Sequence, residues 1–276
     1  MTTAIVTDST ADLSEDILST YRIHSIPAVL VIDGQSLIDG KGISREEFYQ
    51  KLPTLKTHPT TATPSSAAFE QTYRDLLQQG ADHIISIHPS ALLSGLLNAA
   101  AIAAKKFGIH VTVLDSGAVT LSMGFQAIAA AEAALQNLPV DEILTKIDSI
   151  RKRTHLIAML DTLEYIRRSG RVSWAKASLG SVLQIKPFIS LKDGTVLRLG
   201  QARTRRNGIE RLYETLRKLG NLERLAILHT NSETDAKQML SEFARQVRTQ
   251  PLIVNVTTII GTHVGPHALG FVAVVE

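Results

Sequence analysis

Apolar residues fall in short runs broken by polar, glycine or proline positions. In the first half each run is followed by a helical repeat. Ala4-Ile5-Val6 ends in Thr7-Asp8, passes a polar loop and gives way to a helical pattern through Ile17 and Leu18. Ile26–Ile32 is a second apolar run closed by Asp33-Gly34, and Ser44-Arg45-Glu46-Glu47 is a capping box opening a helix toward Leu52. Thr63 as N-cap with Pro64 in the first turn predicts another helix. It is carried by Phe69, Tyr73, Leu76 and Leu77 and ended by Gly80. His83–His88 reads as a strand, and Ser94-Gly95 opens an Ala-rich helix to Phe107. His110–Leu114 is the next strand, and a further Ala-rich helix begins at Asp115-Ser116-Gly117. Strand, polar loop and helix in repetition predict an α/β domain with a doubly wound parallel sheet.

The rhythm changes after a helix from Asp141 to about Arg153. Leu156–Leu160, Gln184–Leu191, Val196–Leu199, Leu225–Leu228, Leu252–Ile260 and Leu269–Val275 read as strands. Helices are expected over Leu163–Arg168, Arg203–Leu219 and Thr234–Val247. Lys192-Asp193-Gly194-Thr195 is a strong hairpin signal. The expectation is an α/β domain over 1–153 and an α+β domain over 154–276. The stretch from Gly261 to Gly270 holds three glycines, Pro266, His263 and His267. It reads as a shaped loop between two strands, not as a helix.

Composition narrows the functions. The 276 residues are 44% hydrophobic and 20% charged, as in a globular protein with a sizeable core. Twenty-nine Lys+Arg against 26 Asp+Glu leave a net +3, too little to argue for nucleic acid. The absence of cysteine excludes disulfides and thiolate-bound metal, and fits a reducing cytoplasm. The opening residues show no basic segment of a secretory signal, and the Ala-rich run Ala127–Leu135 is too short to span a bilayer.

Phosphate cradles of the Gly-x-x-x-x-Gly-Lys-Ser/Thr and Gly-x-Gly-x-x-Gly types are absent, as are His-Glu-x-x-His and Gly-x-Ser-x-Gly. What remains is a set of hydroxyls at loop-to-helix junctions: Ser9, Thr61, Thr63, Ser94 and Ser116. Helix N-termini carry unsatisfied N–H groups and partial positive charge, so a hydroxyl there makes a site for a carboxylate or phosphate. Each of these residues also has a plainer role as a cap worth about 1 kcal/mol. His263 alone reads equally as a hydrogen-bonded loop residue, His267 as a solvent-facing one and Trp174 as a packing residue. Arg167, Arg168 and Arg171 suit a helix C-terminus, and Arg203, Arg205 and Arg206 a solvated face.

Several blocks in order are similar to those of the DegV family. They are Ile5-Val6-Thr7-Asp8-Ser9-Thr10-Ala11-Asp12-Leu13, Thr61-Ala62-Thr63-Pro64-Ser65, Leu93-Ser94-Gly95 and Asp115-Ser116 with Ser122-Met123-Gly124. Leu163-Glu164-Tyr165-Ile166-Arg167-Arg168-Ser169-Gly170-Arg171-Val172, Ile185-Lys186-Pro187, Arg203-Thr204-Arg205 and Gly261-Thr262-His263-Val264-Gly265-Pro266 complete the set. The resemblance implies a DegV-like two-domain fold that binds a long-chain fatty acid in a tunnel between the domains. By matching position, Thr61, Ser94 and His263 would hold the carboxylate. Arg171 and Arg203 would serve its mouth or the docking of a kinase. The resemblance further implies a cytoplasmic bacterial carrier without cofactor, metal or chemistry of its own, and with at most transient membrane contact. It would present the carboxylate to a dihydroxyacetone-kinase-like fatty acid kinase that forms an acyl phosphate. Departures are Ser94-Gly95-Leu96-Leu97 in place of Ser-Gly-Thr-Tyr, Thr63 in place of Gln and His267 in place of Gly. Two rival readings are a serine-dependent hydrolase using Ser94 and His263, and a non-catalytic, lipid-responsive interaction module.

Overall fold

The computed structural model describes residues 2–176 and 185–276. In chain order the earlier elements are β1 (Thr3–Asp8), α1 (Glu15–Tyr21), β2 (Ile23–Ile26), β3 (Val29–Ile32), β4 (Gln35–Ile38), α2 (Arg45–Lys51) and β5 (Thr60–Ala62). Then come α3 (Ser66–Gln78), β6 (His83–His88), α4 (Leu96–Ala104), β7 (Val111–Asp115), α5 (Leu121–Leu135) and α6 (Val140–Arg153). The later elements are β8 (Thr154–Met159), α7 (Glu164–Ser169), α8 (Ser173–Lys176), β9 (Lys186–Lys192), β10 (Thr195–Ala202) and α9 (Arg205–Arg217). They end with β11 (Leu222–His229), α10 (Glu233–Phe243), β12 (Leu252–Asn255), α11 (Thr258–Val264) and β13 (Leu269–Val275). The expected strand start at Gln184 lies outside the described residues.

Contacts divide the chain into two compact units. The first is Met1–Val29 with Ala62–Lys152, and the second is Leu30–Thr61 with Arg153–Glu276. One break between the units falls at 152/153. The excursion Leu30–Thr61, which a single cut at 153 does not describe, counts with the later half.

In the first unit a four-stranded sheet runs β2-β1-β6-β7, every neighbouring pair parallel. Phe69 and Tyr73 of α3 and Ala100 and Ala103 of α4 pack with Val6, Ile84 and Val111 of the sheet. The spacing of Phe69, Tyr73 and Leu76 puts all three on one buried face of α3. Two expected starts move inward. α3 begins at Ser66 with Ser65 as N-cap, two residues beyond the expected Thr63 and Pro64, because β5 keeps the chain extended through Ala62. α5 begins at Leu121, not at Asp115. Residues 115–117 form a turn in which Gly117 N–H donates to Asp115 at 2.7 Å, with Gly117 at φ +60.

The second unit is built on a six-stranded mixed sheet, β10-β9-β8-β13-β11-β12. β11 and β12 are parallel, and the other neighbouring pairs are antiparallel. Its core joins Met159, Phe188, Leu212, Leu216, Met239, Phe243 and Phe271. The β9–β10 hairpin turns at Asp193 and Gly194, both at positive φ (+47 and +76), as the two-residue signal predicts. A three-stranded sheet, β4-β3-β5, is also present.

The expected strand Leu252–Ile260 holds only for its first four residues. β12 stops at Asn255, and Thr258–Val264, including Gly261 and His263, is helical. Three local devices make a helix there. Thr257 caps it, its hydroxyl accepting from Ile260 N–H at 3.4 Å. Gly261 lets Tyr49 approach the backbone, and Gly265 at φ +79 ends the helix before Pro266. The glycine–proline pair thus marks a helix stop rather than a loop throughout.

Candidate functional site

Helix α11 carries His263 in its last turn, where the side chain reaches Thr61 of β5. Thr61 Oγ1 and His263 Nε2 lie 3.2 Å apart. The opposite ring nitrogen, Nδ1, is buried and has no hydrogen-bond partner. Desolvation pushes the His263 pKa down to about 3, with the charges of Arg171 and then His58 acting in the same direction. At neutral pH His263 is therefore an uncharged imidazole. It can donate through one nitrogen and accept through the other, but it supplies no cation.

A second imidazole belongs to the same neighbourhood. His58, two residues before β5, has a buried Nε2 that also lacks a partner. Its ring lies 5.8 Å from that of Tyr165, centroid to centroid. Tyr165 is in turn the residue that a Cβ at Gly265 would strike, at 2.3 Å. His58 and His263 thus flank the C-terminal end of α11. Burial lowers the His58 pKa, followed by the charge of Arg168. The Glu164 carboxylate and a hydrogen bond to the Thr262 backbone oppose the shift. Residue types alone do not single out His58; its one sequence signal is a polar ring immediately before Pro59 and the Thr60-Thr61 pair.

The position of α11 is fixed by α2. The Tyr49 hydroxyl donates to Val256 O at 2.7 Å and lies against Gly261, where a Cβ would come within 2.3 Å of it. Thr258 Oγ1 donates to Asp39 at 2.8 Å, and Thr262 Oγ1 to Thr258 O at 2.8 Å. These buried bonds leave α11 little freedom to turn.

Ser94, in the first unit, precedes α4 and accepts from Leu96 N–H at 3.3 Å. A Cβ at Gly95 would meet Thr63 Oγ1 at 3.2 Å, so the Ser94-Gly95 turn lies against the start of the segment leading to α3. Arg171 is exposed, and its guanidinium donates to Ser169 O at 2.6 Å. Arg203 is exposed between β10 and α9. The structure brings Thr61 and His263 together with Arg171 in electrostatic range. Arg203 makes no such contact, and its neighbour Arg205 is held by Asp235, Ser232 and the His267 carbonyl. Trp174 is indeed a packing residue, its indole N–H donating to Val196 O at 3.0 Å.

In the first unit Asp8 organises the turn after β1. Its Oδ1 accepts from Thr10 N–H at 3.0 Å, and its Oδ2 pairs with His88 Nδ1 at 2.8 Å. His88 Nε2 meets Ser86 Oγ at 2.7 Å, and the Tyr73 hydroxyl donates to Ser86 at 2.8 Å. All four side chains are fully buried. The Asp–His–Ser order resembles a hydrolytic triad, but a sealed serine that already accepts a bond cannot meet a substrate.

A parallel α/β unit and a mixed-sheet α+β unit, with no metal-binding group of His, Cys, Asp or Glu among the described residues, define a two-domain protein of DegV-like architecture. A family model described as "Uncharacterised protein, DegV family" matches residues 2–276, and the chain belongs to the DegV family. A DegV domain-containing protein of Streptomyces coelicolor is 36% identical, over 98% of this chain and 97% of its own. One from Listeria innocua is 34% identical, over 97% and 96%. Among solved structures, a DegV family protein of Thermus thermophilus described as binding fatty acid superposes with a TM-score of 0.92 at 30% identity, over 100% of both chains. DegV of Bacillus subtilis, described as a fatty acid binding protein, gives 0.87 at 29% identity, again over 100% of both.

Proposed function

We propose that this chain binds a long-chain fatty acid, with the acid group held by Thr61, His263 and, from the first unit, Ser94. The observation that carries the reading is the buried, unpaired Nδ1 of His263 beside the Thr61 hydroxyl. A buried polar atom without a partner is costly, so the arrangement fits a ligand that completes it. The fatty acid binding described for the Thermus thermophilus and Bacillus subtilis proteins supports the same class of ligand. A chain of about 16 carbons gains ~0.8 kcal/mol for each buried methylene, so the tail supplies most of the affinity. The polar groups prevent an unpaired buried acid and fix the register of the head.

The reading extends to a carrier with no chemistry of its own, which presents the carboxyl to a dihydroxyacetone-kinase-like fatty acid kinase for acyl phosphate formation. Exposed Arg171 and Arg203 are assigned to the mouth of the site or to that partner. No described helix is long and apolar enough to cross a membrane, which is compatible with a cytoplasmic carrier that touches lipid transiently.

Organic extraction of purified protein followed by mass spectrometry is expected to release a long-chain fatty acid. The Thr61→Val/His263→Ala double variant is expected to retain much less. Lipid-free protein that also fails to bind added palmitate would overturn the reading. Ester hydrolysis abolished by Ser94→Ala would replace it with an enzymatic one.

A further inference from the structure

We propose that His58 is a further head-group residue, its Nε2 hydrogen-bonding the acid group that Thr61 and His263 engage; this rests on the fatty acid reading above. Two imidazole nitrogens in the second unit stand orphaned. His58 Nε2 and His263 Nδ1 are both buried and both without partners, and among the described residues only three other side-chain atoms share that condition, on Thr3, Ser122 and Gln126. The two histidines belong to one structural unit and are brought to one end of α11. Thr61, three residues after His58, is bonded to the other ring. Two buried imidazole nitrogens without partners at one end of a helix are costly, and a ligand that completes both relieves that cost.

Tyr165 fixes the His58 ring by packing against it, and Gly265 gives Tyr165 the room to do so. The ring is therefore held in place before any ligand arrives, which lowers the ordering cost of binding. Neutral imidazoles suit a carboxyl group because each can either donate or accept. The group would be met by a hydroxyl and two uncharged rings, with the Arg171 charge acting from farther off.

The test compares palmitic acid with methyl palmitate, which has the same tail but no ionisable head. Binding of both to delipidated protein is measured by calorimetry, and the empty protein is melted. In His58→Phe, whose ring keeps the packing on Tyr165, palmitic acid should bind about tenfold more weakly, the effect of one lost hydrogen bond to an acid group. Methyl palmitate, whose uncharged carbonyl is a weaker acceptor than a carboxylate, should lose clearly less, and the empty protein should stay folded, since the loss of the His58 bond to the Thr262 backbone is set against the removal of a buried orphan. His58→Gln, with an amide nitrogen to replace Nε2, should recover part of the acid preference. Equal loss for acid and ester, or unchanged acid binding, would each overturn the role of His58. A parent protein that binds neither ligand would overturn the fatty acid reading itself, a separate and earlier failure.

Discussion

Tyr49 and Gly261 are in direct contact: the tyrosine hydroxyl that donates to Val256 O at 2.7 Å occupies the space a β-carbon on Gly261 would need. The helix carrying His263 is therefore seated by a residue more than two hundred positions earlier. Gly261→Ala should force the two apart and cost about 1–3 kcal/mol, as overpacking does. Chemical denaturation would read the loss. Fatty acid retention should fall with it, because the Thr61–His263 geometry depends on that seat.

The start of the same helix rests on Thr257. Thr257→Ala removes the hydroxyl that accepts from Ile260 N–H, and should cost about 1 kcal/mol. Thr257→Asn, a residue that caps helices well, should restore most of it in the same denaturation assay.

Acid should destabilise the empty protein through His263. The folded chain holds its pKa at about 3, below the usual 6.5, so between those values the unfolded chain binds the extra proton. The stabilisation is fully present above pH 6.5 and is lost as the pH falls toward 3. Its full size is on the order of 5 kcal/mol. His24, His58, His83, His155 and His229 are shifted in the same direction, chiefly by burial, and add to the slope. Denaturation of the empty protein at successive pH values should show stability rising from pH 4 to 7. His263→Gln should flatten that rise.

Replacing Asp8 tests the buried network of the first unit. Asp8→Ala leaves Thr10 N–H, Thr10 Oγ1 and His88 Nδ1 without their acceptor. Each stranded group costs about 1–3 kcal/mol, so the variant should be among the least stable single changes in this unit. Asp8→Asn keeps one acceptor oxygen and should lose less. A variant as stable as the parent would show that the network contributes nothing to the fold.

Much of the architecture could be read from residue pattern alone. The buried face Phe69-Tyr73-Leu76, the Asp193-Gly194 turn and the strand Leu269–Val275 all stand where periodicity and turn chemistry put them. Helix α11 was not legible for a physical reason. Seven residues with a central glycine and several β-branched side chains have little intrinsic helicity, so tertiary seating on Tyr49 and capping by Thr257 decide the outcome. The grouping of Leu30–Thr61 with the later half rests on contacts such as Thr258 with Asp39, far apart in sequence, that no local pattern encodes. Thr61 and His263 were brought together by family resemblance, since no spacing rule joins positions 202 residues apart. His58 is not legible in the sequence, because a single histidine before a proline carries no distinguishing pattern.

The division of the chain has a practical result. The backbone passes from one unit to the other three times, after Val29, Thr61 and Lys152. A polypeptide begun at Arg153 would hold His263 but neither Thr61 nor His58, and would lack the tyrosine on which its helix sits. The two halves of the gene cannot be shuffled as interchangeable modules. The excursion of 32 residues must travel with the later half, by rejoining the ends of the chain or by supplying the missing piece in trans.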